Sequence, residues 1–372
     1  MALPDVLTLF TGLAAISSPP GEEREVADRV ADYLGELGLS VREDDAGARI
    51  GSTMGNMLAR LEPTNGGGLP IFLCAHLDTV PATDAIEPVI EDGLVRNARN
   101  TILGADNKAA VAVMLEAARR IVETGCPHAG VELLFTPKEE TGLEGAKAFD
   151  ASSLAARTGY VFDHAGPIGE VVVQAPYSTA VDVVFKGRAA HAGMHPEEGR
   201  SAILAAAHAI SDFRLGRIDD ETTANVGEIH GGTARNIVPD RCAVVAEVRS
   251  QSEQKLASVV QEMVDSCAFA AEVAECELET ALEEKYRGYR FEPDDPTVRL
   301  AFDALERAGF APSGIRAGGG ADANVFNAQG IPCANLANGM TRIHSADEHI
   351  AVADLESMVA VTLELVDAAQ RA

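Results

Sequence analysis

Short apolar runs of strand length alternate with longer stretches of helical periodicity through the first half of the chain. In the stretch 109–122, apolar residues recur near helical spacing, which is typical of a helix that packs along one face. Short continuous apolar runs instead favour buried strands. The pattern predicts strands at 56–61, 71–74, 131–135, 160–162 and 169–174, and helices at 7–16, 24–37 and 109–122. This alternation favours an α/β fold with a mixed sheet.

The pattern changes after residue 176, where strands and helices follow in a different order. A strand at 183–185 is followed by a helix at 201–213, strands at 225–229 and 241–248, a helix at 253–271 and a strand from Cys276. This order predicts a compact βαββαβ unit of the α+β class, inserted into the first domain. The helical stretch 298–308 resumes the α/β pattern. We therefore expect one domain to comprise 1–176 and 290–372, and the inserted domain to comprise 177–289.

Histidine and acidic residues stand where strands give way to loops or helices. Because the carboxyl ends of parallel strands converge on one crevice, we expect these side chains to meet there. His76 and Asp78 share a face, since side chains alternate along an extended backbone. Taken alone, such a pair could be the polar end of a strand, but the pattern recurs along the chain. The residues with this placement are His76, Asp78, Asp106, Glu139, Glu140, Asp163 and His344.

The ligand types in this set favour a catalytic metal site. Two imidazoles and several carboxylates, without a cysteine to complete a tetrahedral structural site, suit Zn²⁺, Mn²⁺ or Co²⁺. One carboxylate in such a set commonly bridges two ions, and paired ions polarise a carbonyl while generating hydroxide near neutral pH. The sequence therefore predicts a dinuclear hydrolase.

In order and spacing, these motifs resemble those of the dinuclear metallopeptidases that include peptidase T, glutamate carboxypeptidase and aminoacylase. The resemblance is greatest to the peptidase T-like branch and extends from the segment 16–23 to the segment 343–348. It implies a zinc exopeptidase domain with an inserted lid and dimerisation domain, and amide hydrolysis by metal-bound hydroxide. It also implies these roles: His76 and Asp163 on one ion, Asp106 as the bridge, Glu140 and His344 on the other ion, Glu139 as general base, and Asp78 as the acid that orients His76.

The same resemblance assigns roles to residues of the inserted domain. His191, in a turn flanked by Gly187 and Gly193, corresponds to a histidine that reaches the site of a partner subunit. It would donate a hydrogen bond to the developing oxyanion. Asn236 and Arg249 occupy positions that usually meet substrate or the dimer interface, although Arg249 could equally be a solvated strand end. A homodimer through the lid is expected.

The glycine run 318–320 admits two interpretations. A phosphate-binding loop is disfavoured because the run lacks Gly-x-Gly-x-x-Gly spacing and a Walker lysine. Close approach of the Gly319 and Gly320 backbone to substrate fits better, since glycine adopts positive φ freely. Peptidase T has an arginine directly before its Gly-Gly pair, whereas this chain has Gly318 there and its nearest arginine is Arg316. The resemblance therefore implies hydrolysis of an amide bond in small peptides, of the amino- or tripeptidase type, and an N-acyl amino acid deacylase with the same site is the alternative. A non-catalytic binding protein is the alternative from another class.

Composition and charge limit the kinds of binding partner and the cellular compartment that are expected. With 30 basic and 57 acidic residues, the net charge of −27 repels nucleic acid and anionic membranes. No apolar stretch reaches the roughly 20 residues of a membrane span. Asp5, instead of a basic segment, precedes the first apolar stretch, which argues against a signal peptide. Six scattered cysteines without a Cys-x-x-Cys motif are typical of reduced core residues, and we expect a cytoplasmic protein.

Overall fold

The computed structural model describes residues 3–64 and 67–372. Two compact units account for the fold, one that runs to Gln174 and resumes at Tyr289, and one that spans Ala175–Gly288. Each unit has its own cluster of buried hydrophobic side chains. Among the described residues, no helix is both long and apolar enough to cross a membrane.

The larger unit contains most of the helices and three groups of strands. Its helices are α1 (Val6–Ala14), α2 (Arg24–Glu36), α3 (Ala46–Ile50), α4 (Ala105–Thr124), α5 (Glu144–Ala148), α8 (Pro296–Arg307), α9 (Asp322–Ala328) and α10 (Val352–Arg371). Its strands are β1 (Val41–Glu43), β2 (Met57–Leu61), β3 (Ile71–His76), β4 (Pro88–Glu91), β5 (Leu94–Asn97), β6 (Val131–Thr136), β7 (Gly159–His164), β8 (Glu170–Ala175), β14 (Tyr289–Arg290), β15 (Ser313–Arg316), β16 (Cys333–Ala337) and β17 (His349–Ala351).

A nine-stranded mixed sheet forms the centre of the larger unit, in the order β1-β2-β6-β3-β7-β16-β8-β14, with β15 paired to β8. The four neighbours β6, β3, β7 and β16 are mutually parallel. Every residue of β3 and of β6 is buried, as expected for parallel strands covered on both faces. The carboxyl ends of these four strands consequently lie at one edge of the sheet, which confirms the predicted fold class for this part of the chain.

Close packing against an aromatic ring explains why the first residue of β7 is a glycine. The ring of Phe72 in β3 packs edge-on against Phe326 of α9, with centroids 4.9 Å apart. A Cβ at Gly159, the first residue of β7, would lie 2.1 Å from the Phe72 ring. Only glycine leaves room for the aromatic side chain here, and burying such a side chain contributes roughly 1.5–3 kcal/mol.

A small hairpin formed by β4 and β5 is not among the predicted elements. Strands β4 and β5 are joined by Asp92 and Gly93, whose φ angles are 50° and 79°. Positive φ at both central residues is the geometry of a tight hairpin turn, for which Asp-Gly is a strong signal. β17 joins this pair in a three-stranded sheet. The hairpin could therefore have been predicted from its turn.

The smaller unit is an antiparallel sheet covered by two helices. It consists of β9 (Tyr177–Lys186), α6 (Ala202–Asp212), β10 (Gly216–Arg217), β11 (Thr222–Gly231), β12 (Arg241–Ser250), α7 (Glu253–Val273) and β13 (Glu277–Tyr286), with strand order β10-β11-β12-β9-β13. Buried and more exposed residues alternate along β12, because only one sheet face meets the helices. The predicted βαββαβ order is confirmed, with the two-residue β10 as an addition.

Candidate metal centre

Five side chains predicted as metal ligands come together at one edge of the large sheet. His76 is the last residue of β3, and Asp163 lies near the end of β7. Glu140 follows β6, and His344 follows β16. Asp106 lies at the start of α4, where φ and ψ are not yet helical. Gly104, just before it, has a φ of 76°, a conformation that side-chain-bearing residues rarely adopt.

Asp106 occupies the middle of this group. Its Oδ1 lies 3.1 Å from His76 Nε2, and its Oδ2 lies 3.1 Å from His344 Nε2. The carboxylate therefore presents one oxygen to each imidazole. This is the arrangement expected of a carboxylate shared between two ions.

The remaining acids complete two sets of donors. Glu140 Oε1 lies 2.9 Å from His344 Nε2, and Asp163 Oδ1 lies 3.5 Å from His76 Nε2. The donor atoms of His76, Asp106 and Glu140 lie within 4.8 Å of one another, and so do those of His76, Glu139 and Asp163. Glu139 is thus close enough to share the space into which the ligands point.

The electrostatics of the cluster fit divalent cations. Burial and the charge of Asp106 raise the pKa of Asp163 to about 8. Burial and the charge of Asp163 raise the pKa of Glu139 well above its ordinary value. Hydrogen bonds to Asp106 and Glu140 raise the pKa of His344 to about 10. Protons therefore balance the crowded carboxylates in the metal-free protein, and cations would displace them.

The donor set also fits two ions by charge and type. The carboxylates of Asp106, Glu140 and Asp163, with Glu139 beside them, supply negative charge that two divalent cations would balance. Imidazole nitrogen and carboxylate oxygen are ligands that suit Zn²⁺, Mn²⁺ and Co²⁺.

Asp78 lies between His76 and the loop that carries the two glutamates. His76 Nδ1 lies 2.9 Å from the backbone oxygen of Asp78, whereas the Asp78 carboxylate is 3.4 Å away. That carboxylate is buried and accepts hydrogen bonds from the backbone N–H groups of Glu139 (2.9 Å) and Glu140 (3.0 Å). Asp78 therefore holds the loop that carries both glutamates, and its backbone provides the closest acceptor for His76.

Further buried polar residues around the site were not identified from the sequence. Asn335 Oδ1 accepts the backbone N–H of Asp163 at 2.9 Å, and Glu348 accepts three backbone N–H groups around Asp106. Asp322 Oδ2 accepts the Thr136 hydroxyl at 2.5 Å, and its Oδ1 has no hydrogen-bond partner among the described residues. Burial raises the pKa of Asp322 to about 6. The sequence marks Asp322 and Glu348 only by their proximity to recognised motifs.

The residues predicted in the inserted domain all lie in the smaller unit. His191 is exposed, and its Nδ1 accepts the backbone N–H groups of Gly193 (3.2 Å) and Met194 (3.1 Å). A neutral His191 consequently carries its proton on Nε2. Asn236 is exposed and its backbone oxygen accepts the Ala192 N–H at 2.9 Å, which places the two loops side by side.

Arg249 and the glycine run have simple local surroundings. The Arg249 guanidinium is partly buried and pairs with Glu247 at 3.1 Å. Gly319 and Gly320 are half-buried in the larger unit, between β15 and α9.

Comparison with known proteins places this site in a family. The pattern of the peptidase dimerisation domain matches residues 177–275, and that of peptidase family M28 matches residues 56–195. The uncharacterised protein YqjE of Bacillus subtilis is 37% identical over 367 residues, covering 98% of both chains.

Two solved structures are similar over almost their whole length. Aminopeptidase PepT from Bacillus cereus has 38% sequence identity and a TM-score of 0.87, with 98% of each chain covered. A tripeptidase from Staphylococcus aureus has 34% identity and a TM-score of 0.92, with 99% of this chain and 98% of that chain covered. The chain therefore belongs to the peptidase T-like metallopeptidases, a family of metal-dependent peptide hydrolases.

Proposed function

We propose that this enzyme removes residues from the amino terminus of short peptides, including tripeptides, with two divalent ions bound. The observation that carries the metal centre is the position of Asp106, whose two oxygens face His76 and His344 respectively. The substrate class is supported by the aminopeptidase and the tripeptidase that share this fold at more than 30% identity.

His76 and Asp163 would hold one ion, Glu140 and His344 the other, and Asp106 would bridge them. When bound, the two ions would polarise the scissile carbonyl and lower the pKa of a water molecule. Zn²⁺ is the first candidate, and Mn²⁺ and Co²⁺ suit the same ligands.

Glu139 is the proposed general base. Its carboxylate lies in the donor group with His76 and Asp163, and burial favours its proton-holding form. It would accept a proton from the attacking water and deliver it to the leaving amine nitrogen. Asp78 keeps Glu139 in place through the backbone N–H of that residue.

A homodimer through the smaller unit, with His191 acting on the site of the partner subunit, completes the proposal. The match to the peptidase dimerisation domain supports this arrangement. So does the distribution of exposed large hydrophobic side chains, because ten of the twelve found among the described residues lie in the smaller unit. The Nε2–H of His191 would donate to the oxyanion of the transition state.

The proposed substrate contacts are Asn236, Arg249, Gly319 and Gly320. Arg249 would exchange its pairing with Glu247 for the carboxylate of a peptide. The cytoplasm is the proposed location, since all six cysteines are free, as in a reducing compartment.

Hydrolysis of a substrate panel after chelation and metal add-back tests the function. The panel comprises dipeptides, tripeptides, amino-blocked tripeptides and N-acyl amino acids, each with Zn²⁺, Mn²⁺ or Co²⁺. We expect metal-dependent release of the amino-terminal residue from the free peptides only. Cleavage of the blocked substrates alone would identify a deacylase instead, and no turnover with two ions bound would indicate a binding protein.

A further inference from the structure

The carboxylate of Glu348 is buried and directed at backbone N–H groups on a distant part of the chain. Its side chain is 2% exposed. Oε2 accepts the N–H groups of Leu103 (2.7 Å) and Gly104 (2.9 Å), and Oε1 accepts the N–H of Asp106 (3.0 Å). Both oxygens of one glutamate therefore hold the segment that presents Asp106.

This carboxylate also satisfies the turn that leads into α4. Asp106 and Asn107 are not helical, so regular helix geometry begins beyond them, and Gly104 has no side chain with which to satisfy the N–H groups of this turn. Glu348 supplies the acceptor oxygens from 242 residues beyond Asp106.

Glu348 itself lies in the loop that carries His344. Thr341 and His349 close this loop through two backbone hydrogen bonds of 3.0 and 3.1 Å. His344 itself is 44% exposed at the side chain and has a φ of 61°. Within residues 341–349, Glu348 is the one buried residue. Glu348 is thus the buried residue through which this exposed loop is hydrogen-bonded to the segment that carries Asp106.

We propose that Glu348 is a positioning residue that fixes the spacing between Asp106 and His344, and thereby the affinity of the ion that these two residues share with Glu140. This inference rests on the proposed metal centre. The 3.1 Å approach of Asp106 Oδ2 to His344 Nε2 joins two segments that meet again at Glu348, so loss of the glutamate frees one relative to the other. The other ion would be held by His76 on β3 and Asp163 on β7, and Glu348 makes its side-chain hydrogen bonds to residues 103–106 instead of to these strands. That ion shares only Asp106 with this segment, so its affinity should change less.

The substitution Glu348→Gln tests the proposal with little change in size. An amide keeps one acceptor oxygen but turns an NH₂ group toward backbone donors, so at least one hydrogen bond is lost. Calorimetric titration of the metal-free protein with Zn²⁺ should show one binding step weakened about 10- to 100-fold and the other changed much less. The kcat should recover at high metal concentration, and Glu348→Asp should restore part of the affinity.

Glu132→Gln is the matched control. Glu132 is also buried and accepts the backbone N–H groups of Ala155 (3.2 Å) and Ala156 (2.8 Å), but it lies near the opposite end of β6 from the metal ligands. The Glu132→Gln variant should lower the melting temperature of the metal-free protein without changing either metal-binding step.

The outcomes separate this proposal from the metal centre itself. If wild type binds two ions and Glu348→Gln binds both with wild-type affinity, the positioning role is overturned and the proposed function stands. Equal weakening of both steps, or the same effect in Glu132→Gln, would also overturn it in favour of general stability. If wild type fails to bind two ions, both proposals fall. Should Glu348→Gln not fold, Glu348→Asp provides the same comparison, with a selective loss at one of the two steps expected.

Discussion

At the scale of single residues, surroundings divide the acidic side chains of the site into two groups. Asp106, Glu140 and Asp163 face imidazoles and one another, so they are available to cations. Asp78 and Glu348 accept hydrogen bonds from backbone N–H groups, and the Asp78 carboxylate also lies 3.4 Å from Nδ1 of His76, the ring nitrogen that points away from the other acids. The same chemical group would thus bind metal in one setting and holds a loop in the other, because the number of N–H donors nearby differs.

Glu139→Gln should reduce hydrolysis about 10²- to 10⁴-fold, since an amide cannot accept the proton of water. Both ions should remain bound, because the proposed ligands are unchanged. The check is kcat together with metal content measured by atomic emission. Glu144→Gln, a change in a partly exposed residue of the same region that pairs with Lys138, should leave kcat unaltered. If the Glu139→Gln variant retains activity, Glu139 is not the general base.

At the scale of elements, α4 contributes residues both to the candidate metal centre and to the hydrophobic core. Its first residues carry Asp106, and its middle is buried against the sheet and neighbouring helices. Glu116 lies on this helix and is fully buried, where it bonds to Arg119 (2.7 Å) and Arg120 (2.6 Å). Burial opposes ionisation of Glu116, but the two arginines outweigh it and lower its pKa.

Glu116→Gln should therefore destabilise the protein by about 1–3 kcal/mol at pH 7, the typical range for losing charged hydrogen bonds. Because the folded-state pKa lies below the ordinary value of 4.5, this stabilisation is present above pH 4.5 and is lost as the pH falls through the folded-state value. Urea unfolding at pH 7 and at lower pH measures the difference. A gap between wild type and variant that stays constant down to pH 3 would contradict the assignment.

At the scale of the whole molecule, two separate hydrophobic cores support different tasks. The core of the larger unit surrounds the sheet that presents the proposed ligands, and the core of the smaller unit joins its antiparallel sheet to α6 and α7. Of the exposed large hydrophobic side chains among the described residues, most lie in the smaller unit, which favours the proposed subunit interface there.

Mixed dimers should reveal whether His191 acts across subunits. His191→Ala alone should slow turnover by about 10²- to 10³-fold, the usual loss for one oxyanion donor, with metal content unchanged. Combining this variant with Glu139→Gln subunits should restore activity, because one site then has both Glu139 and a partner's His191. Refolded mixtures assayed against each parent measure the recovery. If mixing restores nothing, action across subunits is wrong, and unchanged kinetics in His191→Ala would discard the oxyanion role altogether.

Much of the fold and of the candidate site could be predicted because the relevant signals are local. Apolar runs such as those of β3 and β6 are buried on both faces, so hydrophobicity alone identified them. His76 and Glu139 follow such runs directly. By contrast, the Asp92-Gly93 hairpin was overlooked although its turn signal is present, and Asp322 carries no local mark of its burial beside Thr136.

By itself, the sequence determined the α/β class with an inserted unit, the residue types of the candidate site and the family, because periodicity and motif order are properties of neighbouring residues. Only the tertiary structure decided which carboxylates lie beside imidazoles and which accept hydrogen bonds from backbone N–H groups. The Asp78 carboxylate faces the N–H groups of Glu139 and Glu140, and Glu348 reaches Asp106 across 242 residues. Such pairings depend on how distant segments pack, and neighbouring residues along the chain do not encode that distance.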